Sequence, residues 1–199
     1  MSQPTTCHKT VKISYIAMGS NVTSSSGSPQ LTINETLRRI PNDSISIEKV
    51  SRFYATPAFP PGSGPDFVNA AIAVETSLAP HALLSRLHKI ERELGRERKS
   101  RWAARTIDLD LIAFDDCVLP DLETFEEWSA LPLEQQMNLA PDHLILPHPR
   151  LQDRSFVLGP LCDIASDWRH PVLGQTAAEM FAARPDAERA SLKPLPAPA

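Results

Sequence analysis

Asp108 and Asp110 stand one residue apart in Thr106-Ile107-Asp108-Leu109-Asp110-Leu111-Ile112-Ala113-Phe114, a run whose apolar residues alternate as in a strand. Strand side chains alternate between faces, so both carboxylates project from one face while Ile107, Leu109 and Leu111 enter a core. Two like charges so placed repel unless a cation compensates them. Hard oxygen ligands favour Mg²⁺, which keeps waters and recruits substrate phosphates. Just upstream, Arg96-Glu97-Arg98-Lys99-Ser100-Arg101-Trp102-Ala103-Ala104-Arg105 carries five cations and one aromatic in ten positions. Guanidinium forks match phosphate oxygens, and carboxylates hold the accompanying metal, so the pair of segments describes a nucleotide triphosphate site. Taken singly, an Asp-x-Asp is more often a wet acidic edge and a cation run a solvated face; side by side they are more specific. Neither a Gly-x-x-x-x-Gly-Lys-Ser/Thr loop nor a Gly-x-Gly-x-x-Gly fingerprint is present to host the phosphates instead.

The elements that must carry these residues follow from periodicity. Val11, Ile13 and Tyr15 alternate with polar residues and run through Ile16-Ala17-Met18 into Gly19-Ser20-Asn21, a first strand closed by a turn. Pro29 opens a helix with Ile33, Leu37 and Ile40 on one stripe. Residues 44–55 read as a strand whose alternation slips midway, as at a bulge. A proline-rich loop, 56–66, leads to a strand with Val68, Ala70, Ile72 and Val74 on one face and Phe67, Asn69, Ala71 and Ala73 on the other. Pro80 opens a second helix, with Leu83, Leu84, Leu87, Ile90 and Leu94 at helical spacing and Gly95 as its cap. Glu91 falls beside that apolar stripe and reads as a partly buried structural carboxylate. The Asp-x-Asp strand comes next, with Ala113 assigned to the core face and Phe114 to the carboxylate face. The order strand, helix, strand, strand, helix, strand is that of a ferredoxin-like α+β antiparallel sheet with helices packed on its faces, a three-layer αβα arrangement.

With 199 residues the chain has room for one core and appendages. The expected division is a flexible arm over 1–10, a single domain over 11–183 with an acidic insertion at about 115–142, and a flexible tail over 184–199. Hydrophobic residues at 42% and charged residues at 22% exclude wholesale disorder and a membrane protein. Met1 to Thr10 has no apolar stretch of a secretory signal, and three scattered cysteines form no disulfide scaffold or zinc motif, so a cytoplasmic setting with reduced thiols is expected. A monomer is expected as well. A net charge of −4 argues against a general nucleic-acid binder, but it averages the cationic run with a stretch from Thr106 to Pro149 that lacks any lysine or arginine. Prolines number 19 against 7 glycines, and they stiffen the 56–66 loop, the insertion and the tail. Beyond the insertion, a helical region is expected over 149–168 and a final short helix over 175–183.

The run Arg101-Trp102-Ala103-Ala104-Arg105-Thr106-Ile107-Asp108-Leu109-Asp110-Leu111-Ile112 closely resembles the signature of the 6-hydroxymethyl-7,8-dihydropterin pyrophosphokinase family of folate biosynthesis. Further segments agree in order: Tyr15 to Asn21, Ser51 to Pro57, Pro65 to Ala71, and Leu146-Pro147-His148-Pro149 with Arg154-Ser155-Phe156. The resemblance implies transfer of diphosphate from ATP to the pterin hydroxymethyl group, leaving AMP. It implies two Mg²⁺ ions on Asp108 and Asp110, with Arg96 and Arg105 as catalytic cations. Arg98, Arg101 and Trp102 would ride a closing loop, and Leu111, His148 and Arg154 would complete the ATP side. Phe67 and Phe156 would sandwich the pterin, with Asn69 and groups near Thr56 and Phe59 reading its edge.

Two other readings remain open at this level. A two-metal nuclease could pair aspartates with cations, and a non-catalytic ferredoxin-like module could use the cations to contact RNA or a partner. The first resemblance needs small-molecule substrates only, with no nucleic acid and no membrane.

Overall fold

The computed structural model describes residues 11–58, 64–95, 105–132, 135 and 139–196. Strand β1 (Lys12–Ser20) leads to helix α1 (Pro29–Arg39), then to strands β2 (Ile45–Val50), β3 (Tyr54–Thr56) and β4 (Phe67–Thr76). Helix α2 (Pro80–Glu93) and strand β5 (Asp108–Phe114) complete the first unit. In the sheet β5 lies beside β1 and β1 beside β4, while β2 and β3 pair with successive halves of β4 from its other side. Every pairing is antiparallel. Counting β2 and β3 as one broken strand, this is the ferredoxin-like order.

The expected slip in 44–55 is present as a register shift between Ile47 and Lys49, followed by the break before Tyr54. Ser28 caps α1, its Oγ accepting from the Leu31 N–H, and Pro29 occupies the first turn, where no N–H partner is needed. Gly95 adopts φ +82° after α2, a left-handed conformation that ends the helix without a Cβ penalty.

One face of the sheet packs on α1 and α2 through Ile16, Met18, Ala70, Ile72, Leu109 and Leu111, against Ile33, Leu83, Leu87 and Ile90. Across the opposite face run α4 (Ser155–Ala165) and α5 (Ala177–Ala182), which bury Ala17, Ala71, Ala73 and Ile112. The three-layer arrangement is therefore present, and the second face is covered along much of its length. At one end its apolar residues give way to Asp108, Asp110, Gly19, Asn69 and Phe67.

Two departures from the sequence reading have clear physical causes. Phe114 lies in the α1/α2 core with Leu109 and Leu111, not on the carboxylate face. The pairing with β1 skips Ile112, so a bulge inserts one residue and reverses the alternation beyond it. The tail expected to be flexible from Arg184 instead forms α6 (Asp186–Ser191) and β6 (Lys193–Pro194), and β6 pairs with β3. Leu195 joins the core and donates its N–H to the Phe53 carbonyl, so the segment earns its order by burying apolar surface and completing a sheet edge. Residues 1–10 and 197–199 lie outside the described residues.

Within the insertion, α3 (Leu122–Ala130) is capped by Asp121, whose carboxylate accepts from the Thr124 N–H. It buries Phe125 against His170. A bridge between Leu119 and Leu146 closes the insertion at its base. No helix among the described residues is long and apolar enough to cross a membrane.

Candidate active site

Register brings the site together. Gly19 on β1 pairs with Asp108 on one side and with Asn69 on the other, and Ala17 pairs with Asp110. On the far side of β4, Tyr54 pairs with Asn69 and Thr56 with Phe67. Directly paired residues share a face, so Asp108, Asp110, Gly19, Phe67, Asn69 and Thr56 form one surface across four strands. Gly19 is its thin point: a Cβ there would meet Asn69 Oδ1 at 3.0 Å and the Phe67 ring at 3.8 Å.

At the acidic end, Arg105 makes an ion pair with Asp108, and Arg154 Nη1 lies 3.5 Å from Asp110 Oδ2. Asp108 is 20% exposed and Asp110 39%, so both carboxylates can still be reached from outside. Arg105 is itself held by Asn21. The Asn21 Oδ1 accepts from the Arg105 N–H at 2.8 Å, and its Nδ2 donates to the Pro65 carbonyl at 3.3 Å. Ser20 Oγ donates to the Thr106 carbonyl at 2.6 Å. The end of β1 thus clasps the entries to both β4 and β5. Sequence reasoning saw Ser20 and Asn21 as a turn and missed this task; the signal was a buried-strand end followed by a short amide side chain.

Glu91 is 1% exposed on α2 and accepts from the Leu109 N–H at 2.8 Å. That bond lands on the peptide between the two aspartates, and the carboxylate expected to be partly buried is fully buried. On the other edge contact of β5, the Ile112 carbonyl at the bulge accepts from the His148 N–H at 2.8 Å. His148 Nδ1 accepts from the Arg150 N–H at 3.1 Å. Burial, with Arg154 nearby, pushes the His148 imidazole down to about 3, so it is neutral at physiological pH. With Nδ1 accepting, its proton sits on Nε2, leaving an N–H donor.

At the other end Asn69 Nδ2 donates to Thr56 Oγ1 at 2.6 Å, and both residues are buried. Phe67 is half-buried at the start of β4. Phe156, in the first turn of α4, is 39% exposed, with the Arg154 guanidinium 5.8 Å from its ring centroid. Among the described residues, Phe67 and Phe156 are not stacked on each other; the close ring pairs lie elsewhere, at Tyr15, Trp168, His170 and Phe125.

The structure therefore gathers Asp108, Asp110, Arg105, Arg154, Asn69, Thr56 and Phe67 around one sheet face, with His148 tied to the edge of β5. The Leu111 side chain is 4% exposed in the α1/α2 core, on the face opposite the aspartates, so any part it takes in the site falls to its main chain. Phe59, Arg96, Arg98, Arg101 and Trp102 lie outside the described residues.

Two carboxylates, attendant guanidiniums and a polar slot thus lie together on an antiparallel ferredoxin-like α+β sheet. Residues 15–166 match the family model of 7,8-dihydro-6-hydroxymethylpterin-pyrophosphokinase (HPPK), and the chain belongs to that family. A 2-amino-4-hydroxy-6-hydroxymethyldihydropteridine pyrophosphokinase of Pseudomonas aeruginosa is 36% identical over 171 residues, covering 86% of this chain and 91% of that protein. One of Synechocystis sp. is 36% identical over 137 residues, covering 69% of this chain and 60% of that protein. The match with the bifunctional protein FolKE of Lactococcus lactis spans 38% of that longer protein. Among solved structures, the HPPK-DHPS of Plasmodium falciparum with pterin and p-hydroxybenzoate superposes with a TM-score of 0.62 at 17% identity, covering 86% of this chain and 43% of that one. At that identity the likeness speaks for the fold.

Proposed function

We propose that this protein transfers diphosphate from ATP to 6-hydroxymethyl-7,8-dihydropterin, giving AMP and the pterin diphosphate ester, as a step of folate biosynthesis. The observation that carries the reading is the shared face of β5, β1, β4 and β3. It sets Asp108 and Asp110, each beside an arginine, next to the Asn69–Thr56 slot. In the reaction the pterin hydroxyl oxygen bonds to the β-phosphorus, and the bond from that phosphorus to the oxygen bridging to the α-phosphate breaks, with AMP leaving.

Asp108 and Asp110 suit Mg²⁺ held together with ATP. No group of three or more His, Cys, Asp or Glu converges among the described residues, so two carboxylates would leave the remaining positions to phosphate oxygens and water, as Mg²⁺ prefers. Bound there, two such ions would neutralise the triphosphate and orient it for in-line displacement. In the free protein Arg105 and Arg154 neutralise the carboxylates. On nucleotide binding both guanidiniums would turn to phosphate oxygens, where Arg105 would offset the charge that develops on departing AMP. Arg96 is proposed to assist it, while Arg98, Arg101 and Trp102 belong to a loop over the nucleotide. His148 would offer its Nε2–H to the nucleotide.

Asn69, oriented by Thr56, presents its amide to the edge of a flat heterocycle, and Phe67 and Phe156 supply faces for it, with Phe59 nearby in sequence. Action as a monomer is part of the proposal, and dependence on ATP suits a cytoplasmic setting. The test is product analysis by phosphorus NMR with Mg²⁺, ATP and the hydroxymethyl-dihydropterin. AMP formed in step with pterin diphosphate is expected; ADP, or turnover indifferent to pterin, would refute the assignment.

A further inference from the structure

Arg154 has neighbours that are tied to one structure. Ser155 Oγ, on a residue only 5% exposed, donates to Glu188 Oε2 at 2.7 Å. Asp153 Oδ1 lies 3.8 Å from Arg184 Nη1. Arg184 and Glu188 are themselves paired, with Arg184 Nη2 3.1 Å from both carboxylate oxygens of Glu188. An Asp153–Arg184–Glu188–Ser155 chain of contacts therefore grips the residues on both sides of Arg154. The Arg154 backbone is extended, at φ −114° and ψ 93°, so its side chain can project away from the grip, and it reaches Asp110.

The grip is itself anchored. Leu192, just after α6, lies against Gly159 of α4 so closely that a Cβ on that glycine would come within 2.2 Å of it. β6 then pairs Lys193 and Pro194 with Ala55 and Tyr54 of β3, the strand that carries Thr56. Residues 184–195 thus connect the start of α4 to the strand on the far side of the site.

We propose that Glu188 is a positioning residue for the nucleotide end of the site, acting through Ser155 and Arg184 to hold Arg154 over Asp110. This rests on the reading of Arg154 as a ligand of ATP. Glu188 touches no reacting atom. Its contribution is entropic: a long arginine fixed before binding loses less freedom when phosphate arrives.

The full chain and its Glu188→Ala, Ser155→Ala, Arg154→Ala and Glu188→Ala/Arg154→Ala variants are titrated with the magnesium complex of α,β-methylene-ATP, and assayed for AMP formation, with thermal melting to establish folding. Glu188→Ala and Ser155→Ala are each expected to weaken nucleotide binding and raise the KM for ATP roughly 3- to 10-fold, the size of one ordinary hydrogen bond, with kcat within about 2-fold. Glu188→Gln, which can still accept from Ser155, recovers part of the loss. In the Arg154→Ala background Glu188→Ala adds nothing further, because the side chain it positions is gone. Unchanged nucleotide affinity in both folded single variants overturns the proposal, as does an equal penalty with and without Arg154. Because binding is read separately from turnover, a wild-type chain that binds the analogue but makes no AMP refutes the diphosphotransfer and leaves the Glu188 result legible. One that does not bind the analogue overturns both.

Discussion

Gly19 shows how much a single missing side chain can decide. It sits between Asp108 and Asn69, and the site remains continuous across β1 only because nothing projects there. Gly19→Ala places a Cβ 3.0 Å from Asn69 Oδ1, so the amide must yield by a few tenths of an ångström. The expected outcome is a KM for pterin raised roughly 3- to 10-fold, about 1 kcal/mol, with the KM for ATP little changed; steady-state kinetics varying each substrate in turn would check it. Asp108→Asn and Asp110→Asn keep shape and remove charge. Each is expected to lower kcat by roughly two orders of magnitude or more, as for other groups that manage transition-state charge, while melting temperature stays close to the wild-type value. Retained turnover in either would remove the aspartates from the chemistry.

Among the elements, β5 is the one whose placement the site depends on most. Its N–H at Leu109 is held by Glu91 from α2, and its bulge carbonyl at Ile112 is held by His148, so an edge strand is fixed at two points. Glu91→Ala leaves a buried N–H without this partner and should cost about 1–3 kcal/mol of stability, a fall in melting temperature of roughly 2–12 °C. A further loss of turnover at temperatures where the variant is fully folded would follow from loosening of the two aspartates. The contact between α4 and the C-terminal segment offers a complementary case. Gly159→Ala drives a Cβ into Leu192, and overpacking of this kind typically costs about 1–3 kcal/mol, measurable by denaturant unfolding. A neutral outcome would mean that residues 184–195 move aside freely and do not brace the helix.

At the scale of the molecule, the acidic insertion and the C-terminal helices meet at a buried aromatic cluster. Phe125 of α3 packs on His170, and His170 on Trp168, which in turn meets Tyr15 of β1. His170 is fully buried, its Nδ1 receiving the N–H groups of Val172 and Leu173, and burial pushes its imidazole down to about 4. An unfolded histidine takes up its proton near 6.5. Between about 6.5 and 4 the unfolded chain therefore binds more protons than the folded one, and stability falls as pH falls, by up to about 3 kcal/mol from this group. His148, also lowered, adds a share of the same sign. The lowered carboxylates of Glu179 and Glu188 act mainly below their ordinary range, so the interval from 6.5 to 5 isolates the histidines. Melting temperatures measured across that interval should decline in the wild type and decline less in His170→Asn, whose amide oxygen can replace Nδ1 as acceptor. Equal slopes would contradict burial of a neutral His170.

The order of strands and helices, the two faces of β4, the slip in the second strand and the shared face of Asp108 and Asp110 were all legible in the sequence. Each depends on the period of side chains along a local segment, and a period is local information. So was the company of Arg105 beside Asp108, because the two lie three residues apart. What the tertiary structure alone decided depends on contacts between distant segments. The bulge that turns Phe114 into the core is set by pairing with β1. Asn21 acquires its role from Pro65 and Arg105, 44 and 84 residues away. The Leu111 side chain turns away from the aspartates because the core lies on its side of the strand. The tail after Arg184, polar and proline-rich, gave no periodic signal, and its order comes from an open strand edge at β3 and a glycine on α4 that only the assembled fold places within its reach.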